Sequence, residues 1–400
     1  MSGALTGFTV VDLTQGLCGP FGSMRLGDAG ADVIKIEPLA GDSSRTMGPP
    51  FVGDQSALFL SLNRNKKSIA LDIRQPEGQA LVRRLVATAD VVLEDLGPGE
   101  AEKLGLGYAD LQQLNPKLIY CAISAFGEEG PLRNQPGAEL VLQAMADYTN
   151  SLGRIGEPPV RLGSDVANLN TGIFASQAVT AALFHRMRKG EGQRVAVSML
   201  GTLLHMRGIM WTSMSDPDDW YGFHLDHYTK LPEHGYKTKD GHVYFGLRRG
   251  NSEDWDRLLV TLGMVEQLDD PRFADFGRQA TSIGRYAPEV KPLWENAFKE
   301  MTNEEVINLI HEINGDATSF QDYSSLFTHP QIQELKMVQE IDHPTAGKFK
   351  TIGPVWRFAD TPATMQNPPP LLGQHTEEIL TKLGVRATEI TQLRTAGVIG

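Results

Sequence analysis

Residues Gly7 to Glu37 read GFTVVDLTQGLCGPFGSMRLGDAGADVIKIE. Two short β-branched runs, Phe8 to Leu13 and Ala31 to Glu37, are bounded by glycine, and the segment from Gly22 to Ala31 between them is long enough for a helix. A strand, a crossover helix and a second strand make the opening of a parallel sheet. The alternation then repeats. SIALDI (Ser68 to Ile73) precedes the helical GQALVRRLVATA (Gly78 to Ala89), and DVVLEDLG (Asp90 to Gly97) follows. The helical YADLQQLN leads into KLIYCAISAFG, Lys117 to Gly127, a further buried strand. A parallel α/β sheet is the economical reading for residues 1 to about 200.

Further along, the texture changes. From Asp216 to Gly241 the chain is rich in aromatics, His, Pro and Asp, which marks a passage into a second domain. HVYFGL then reads as a strand, and SEDWDRLLVTLGM and NEEVINLIHEI as amphipathic helices opened by polar capping residues. From Pro330 the chain reads as a return to the first domain, ending in a Pro-rich turn and the helix TEEILTKLG stopped by Gly384. The expected division is 1–215, 216–329 and 330–400.

With 37 Lys+Arg against 49 Asp+Glu, the 400-residue chain has a formal charge of −12, which disfavours a nucleic-acid partner and favours a small molecule. A hydrophobic content of 41 % is enough for a large core. Cys18 and Cys121 alone make no disulfide framework, and a reducing compartment fits. No Lys or Arg precedes Arg25 and no apolar run approaches a membrane span, so a cytoplasmic protein without a membrane partner is expected.

Familiar cofactor and nucleophile motifs are absent. LGDAGAD lacks the glycine spacing that would bring amides to a pyrophosphate, and no phosphate-binding Lys loop occurs. His224, His227 and His234 have no carboxylate at a zinc-ligand spacing, so no metal is expected. Ser198 lies outside any nucleophile elbow. Cys18 sits near a site by virtue of its position after the first strand, but with no His partner close in sequence it reads as a packing residue.

The stretches GFTVVDLTQGLCGPFGSMRLGDAGADVIKIEPLAGDSSR, LNRNKKSIALDIRQPEG, ADVVLEDLGPGEAEKLGLGYADLQQLNPKLIYCAISAFGEEGP, RKGEGQRV, DGHVYFGL, DPRF and PLLGQHTEEILTKLG occur in this order. As an ordered set they resemble the class III CoA-transferases, the formyl-CoA transferase and carnitine CoA-transferase family, from about residue 5 to residue 398. The resemblance implies a Rossmann-like large domain formed by both chain ends, a smaller inserted α+β domain and an interlocked homodimer. It implies no resident cofactor, coenzyme A and acyl-CoA being substrates. It places CoA along Gln15, Gly16, Leu17 and Cys18, against Asn65, Lys66 and Lys67, and against Asp95, Leu96, Lys103, Leu104 and Ser124. Lys66, Lys67 and Lys103 are suited to pair with the phosphates of CoA.

In such enzymes an Asp carboxylate attacks the thioester carbonyl, giving an acyl-aspartyl anhydride and free CoA thiolate. CoA then forms an aspartyl thioester from which an acceptor carboxylate collects it. The family's Asp lies four residues before a Gly that opens an AAL helix. In RLGSDVANLNTGIFASQAVTAAL, Gly172 sets that register, and four residues back stands Asn168. An amide cannot form the anhydride. The alternatives are an Asp-to-Asn change in a transferase, a transfer of the role to Asp165, or a silent CoA-thioester-binding subunit of a hetero-oligomer. Asp165 otherwise reads as a helix N-cap. Glu128 and Glu139 are candidates for positioning CoA or acceptor. Racemisation of the acyl group is the weaker alternative, because no His lies between Cys121 and Phe184 to serve as an acid or base.

Overall fold

The computed structural model describes residues 3–153, 156–213, 235–246, 251–274 and 286–400. Most of the Asp216 to Gly241 passage, including His224, His227 and His234, lies outside the described residues. Among the described residues no group of His, Cys, Asp or Glu is placed to hold a metal ion, and no helix is long and apolar enough to cross a membrane.

The chain divides into two compact units. One comprises residues 1–146, 163–208 and 330–400, and the other residues 147–162 and 209–329. The second unit therefore takes a short segment, Asp147–Leu162, that sequence texture does not distinguish from its surroundings. Its core of Phe245, Trp255, Trp294 and Phe298 lies between a three-stranded sheet and helices Ser252–Thr261, Ala287–Phe298 and Asn303–Glu312. Asn251 and Thr302 cap the first and last of these helices with their side chains, each one residue ahead of the stretch read from the sequence as a capped helix.

The first unit is built on β1 (Thr9–Asp12), α1 (Cys18–Asp28), β2 (Asp32–Glu37), β3 (Lys66–Ala70), β4 (Val91–Glu94), β5 (Ile119–Ser124), α2 (Glu139–Met145), α3 (Val166–Lys189) and β6 (Gln193–Ser198). The strands form one parallel sheet in the order β3-β2-β1-β4-β5-β6. Alternate residues bury on opposite faces. Val10, Val33, Val91 and Ile119 pack toward α1 and α3, while Val11, Ile34, Val92 and Tyr120 pack toward helices Pro76–Val86, Thr376–Lys382 and Ala387–Thr395. Covering both faces is what makes these strands read as continuous apolar runs. Each fully buried Val, Leu or Ile contributes roughly 1.5–3 kcal/mol.

Two sequence expectations shift. The crossover helix begins at Cys18 rather than near Gly22, with Pro20 in its first turn, where a missing N–H costs nothing. β6 was not anticipated, because its first residues, Gln193 and Arg194, are polar and it lies at the sheet edge.

The chain winds outward from β1 through β2 to β3, then crosses back to β4 and winds the other way through β5 to β6. The direction reverses between β1 and β4, which opens a crevice at their carboxyl ends. The loops after these two strands hold Gln15 to Leu17, with Cys18 opening α1, and Asp95 to Gly99.

α1 and α3 cross on glycines. A Cβ placed on Gly172 would stand 2.6 Å from the Cys18 carbonyl oxygen and 3.0 Å from the Gly22 nitrogen. The contact sets the start of α3 beside the loop after β1. Helix propensity alone would favour Ala at 172 by about 1 kcal/mol, yet the obstructing atoms are backbone and cannot turn away. Gly172→Ala is therefore expected to destabilise the first unit by about 1–3 kcal/mol, measurable as a lower chemical-denaturation midpoint. A midpoint raised by the substitution would show that the helices separate freely.

Candidate active site

The crevice is a cavity of about 1120 Å³, lined wholly by the first unit. Its floor is the loop after β1, and buried charges determine that loop's path. Asp12 accepts from the Thr14 N–H at 3.0 Å. The Lys35 ammonium donates to the Thr14 carbonyl at 2.7 Å and pairs with Asp42 at 2.7 Å, both side chains being fully buried. Asp42 also accepts the Gly16 N–H at 3.0 Å, and Gly16 has φ 75°, a conformation glycine adopts without strain. Burial by itself would push the Asp12 carboxyl up. The Lys66 and Lys35 charges, with hydrogen bonds from Ser23 and Thr14, prevail and hold it down to about 2.

The opposite wall is the start of α3. Asp165 occupies the N-cap position, but its side chain makes no capping bond. Glu139 of α2 does that work instead. It accepts from the backbone N–H groups of Ala167 and Asn168, both at 2.9 Å, from the Asn168 side-chain amide at 2.7 Å, and from Gln143 at 2.8 Å. A carboxylate at a helix start meets unpaired N–H groups and the positive end of the helix dipole. Because Glu139 can only accept, the nitrogen of the Asn168 amide must face it. Asp165 and Asn168 are both half-buried and both line the cavity.

Of the residues expected to contact CoA, the structure brings Gln15, Gly16, Leu17, Cys18, Asp95, Leu96, Lys103 and Ser124 to this one cavity, together with Glu139. Cys18 is buried, and that burial pushes its thiol well above the ordinary range, so it fits the packing role. Lys103 pairs with Glu100 at 2.6 Å, and both are exposed.

The remaining residues lie elsewhere. The Lys66 ammonium is buried against the Pro20 carbonyl, Asn63 and Asp12 at 2.9, 2.8 and 3.2 Å, and so presents no charge to a phosphate. Burial brings it down to about 8. Asn65 ties the C-terminal segment to the body, donating to Asp28 and the Thr364 carbonyl and accepting from Gln366 and Asn367. Lys67 pairs with Asp32 at 2.8 Å, and it shares with Asn65 and His375 a separate recess of about 380 Å³. Leu104 packs on the core. Glu128 forms a two-pronged ion pair with Arg194 and lines another recess, with Ser124 and Ser198.

Sequence reasoning passed over Lys35, Asp42 and Arg133. A lysine inside the apolar run VIKIE is the signal that would have found Lys35, because a charge in a doubly covered strand needs a buried partner. Arg133 also lines the cavity and makes no ion pair among the described residues.

Residues 5–376 match the family described as CoA-transferase family III. The chain is 33 % identical to succinyl-CoA:glutarate CoA-transferase of Homo sapiens, over 99 % of this chain and 90 % of that one. It is 32 % identical to succinyl-CoA–D-citramalate CoA-transferase of Chloroflexus aurantiacus, over 98 % and 96 %. Among solved structures, it matches a CAIB/BAIF family protein from Brucella suis with a TM-score of 0.83 and 30 % identity, over 96 % of this chain and all of that one.

The pairing of Asn168 with Glu139 has a pH signature. In Asn168→Asp a second carboxylate would stand where the amide now donates at 2.7 Å, and two carboxylates that close share a proton. The folded-state affinity for that proton is raised, so the variant's stability is retained at low pH and lost as pH rises through the raised value. Relative to the unaltered chain, Asn168→Asp should lose about 1–3 kcal/mol of stability between pH 4, near the unfolded aspartate value, and pH 8. Adding Glu139→Gln should remove the pH dependence; thermal melts across this range decide it.

Proposed function

The chain belongs to CoA-transferase family III, and from that premise we propose that it seats a CoA thioester in the β1–β4 crevice and is built to move CoA to a carboxylic acid through position 168. The observation that carries the reading is the convergence of Gln15 to Cys18, Asp95, Leu96, Lys103 and the α3 start on one cavity with residue 168 in its wall. In this chain the seat is present while the nucleophile position holds an amide, so the anhydride step awaits a carboxylate. Asn168→Asp supplies it.

Asp165 supports a second route, because it is a half-buried carboxylate that lines the same cavity, three residues before position 168. Glu139 is a poor third candidate, since four hydrogen bonds already draw on its lone pairs. The substrates we propose are short dicarboxylic acids and their CoA thioesters. The two curated relatives described above are named for such acids, and Arg133 brings to the cavity a guanidinium that makes no ion pair among the described residues and matches a carboxylate. A second copy of the chain completes the proposed assembly, supported by the open edge strand β6 and the exposed Phe184 and Met187 on α3.

Intact-protein mass spectrometry after mixing with succinyl-CoA tests the route. A hydroxylamine-sensitive adduct on Asn168→Asp and none on the unaltered chain is the expected result. An adduct on the unaltered chain that Asp165→Ala abolishes would move the chemistry to Asp165, and no adduct on either would leave a silent CoA-thioester-binding subunit. In the Asn168→Asp background, Arg133→Ala should raise KM for a dicarboxylic acceptor by about tenfold or more, as loss of a charge-assisted hydrogen bond implies. KM for a monocarboxylic acceptor should stay within twofold.

A further inference from the structure

Asp95 differs from Asp12, Asp42 and Glu139, the carboxyls that hold the β1 loop and the start of α3. Asp12 and Asp42 are each paired with a lysine and take several further donors, and Glu139 takes four. Asp95 has one donor for both its oxygens, the Gln15 N–H at 3.2 and 3.1 Å, and no ion pair among the described residues. It lies at the carboxyl end of β4, beside the strand carrying Asp12 and directly after Glu94, yet it lines the cavity. A half-buried carboxylate in that company would be short of donors and close to other negative charge.

We propose that Asp95 meets the CoA thioester as a carboxylic acid, one oxygen accepting from Gln15 while its O–H donates to an uncharged oxygen of the CoA arm. This rests on the CoA-binding reading above, which already sets Asp95 in the CoA site, and adds the protonation state in which Asp95 binds. A neutral acid also spares the phosphates of CoA a repulsive partner. The surroundings agree. Burial, with Asp12 and Glu94 adding to it, outweighs the Gln15 amide and the Lys35 charge and pushes the Asp95 carboxyl up to about 8. Glu94, itself buried and raised to about 7, accepts from the Leu96 N–H and provides no counter-charge.

The test is acetyl-CoA affinity by calorimetry between pH 7 and pH 9.5, a ligand whose sulfur does not titrate. Affinity of the unaltered chain should fall about tenfold or more as Asp95 ionises. In Asp95→Asn, whose amide keeps a donor and an acceptor at every pH, the ratio of affinities at the two ends should stay within twofold. Asp95→Leu should bind more weakly throughout. Lys66, held near 8, titrates in the same window, so an alkaline loss that persists in Asp95→Asn overturns the proposal, as does a flat profile in the unaltered chain. Absence of acetyl-CoA binding at pH 7 in the unaltered chain and in Asp95→Asn removes the CoA-site reading itself, and this inference with it.

Discussion

The arrangement of the crevice depends on one buried cation. The Lys35 ammonium holds the Thr14 carbonyl and Asp42, and Asp42 in turn holds the Gly16 amide. Desolvating that set is expensive, and a buried ion pair adds little net stability over an apolar replacement. What it supplies is position. With Asp12, Lys66 and Ser23 joined to the same set, the N–H groups of Thr14, Gln15 and Gly16, in the link between β1 and α1, are committed before any ligand arrives. Burial alone would drive the Lys35 proton off, but Asp12, Asp42 and Glu37 prevail and raise its affinity for it, so the cation persists.

A loop so held places the first turn of α1 against α3, and there the contact is backbone on backbone at Gly22 and Gly172. That crossing carries the start of α3 to the cavity wall. The start of α3 is in turn stapled by Glu139 from α2, so the orientation of residue 168 follows from a helix-capping requirement. Structure and chemistry meet at this carboxylate. The same group that closes the helix also dictates which way the Asn168 amide faces, and it would crowd an aspartate in the same place.

Placing a site at the reversal of a doubly wound sheet gives it two independent walls. One is the β1 loop, ordered by ion pairs; the other is the β4 loop, where Asp95 is tied to the first by a single Gln15 amide. The contrast between a saturated carboxylate at Asp12 and a sparsely bonded one at Asp95, on neighbouring strands, sets an ionised acid behind the crevice and a neutral one in its wall. Environment, not residue type, sets each role.

By itself the sequence determined the parallel sheet through Ser124, because β-branched runs, glycine punctuation and helical spacers are local signals. Local too were the helices after Asn251 and Thr302, the stop of helix Thr376–Lys382 near Gly384, and the identity of residue 168. Side-chain partnership is not local. Lys66 and Lys103 look alike in sequence, yet one is sealed against Asp12 and the other lines the cavity, and Glu128 and Glu139 part in the same way, one to Arg194 and one to α3. Only the tertiary structure decided those, since a charge takes its role from what surrounds it at about 3 Å, and those surroundings come from segments tens to hundreds of residues apart.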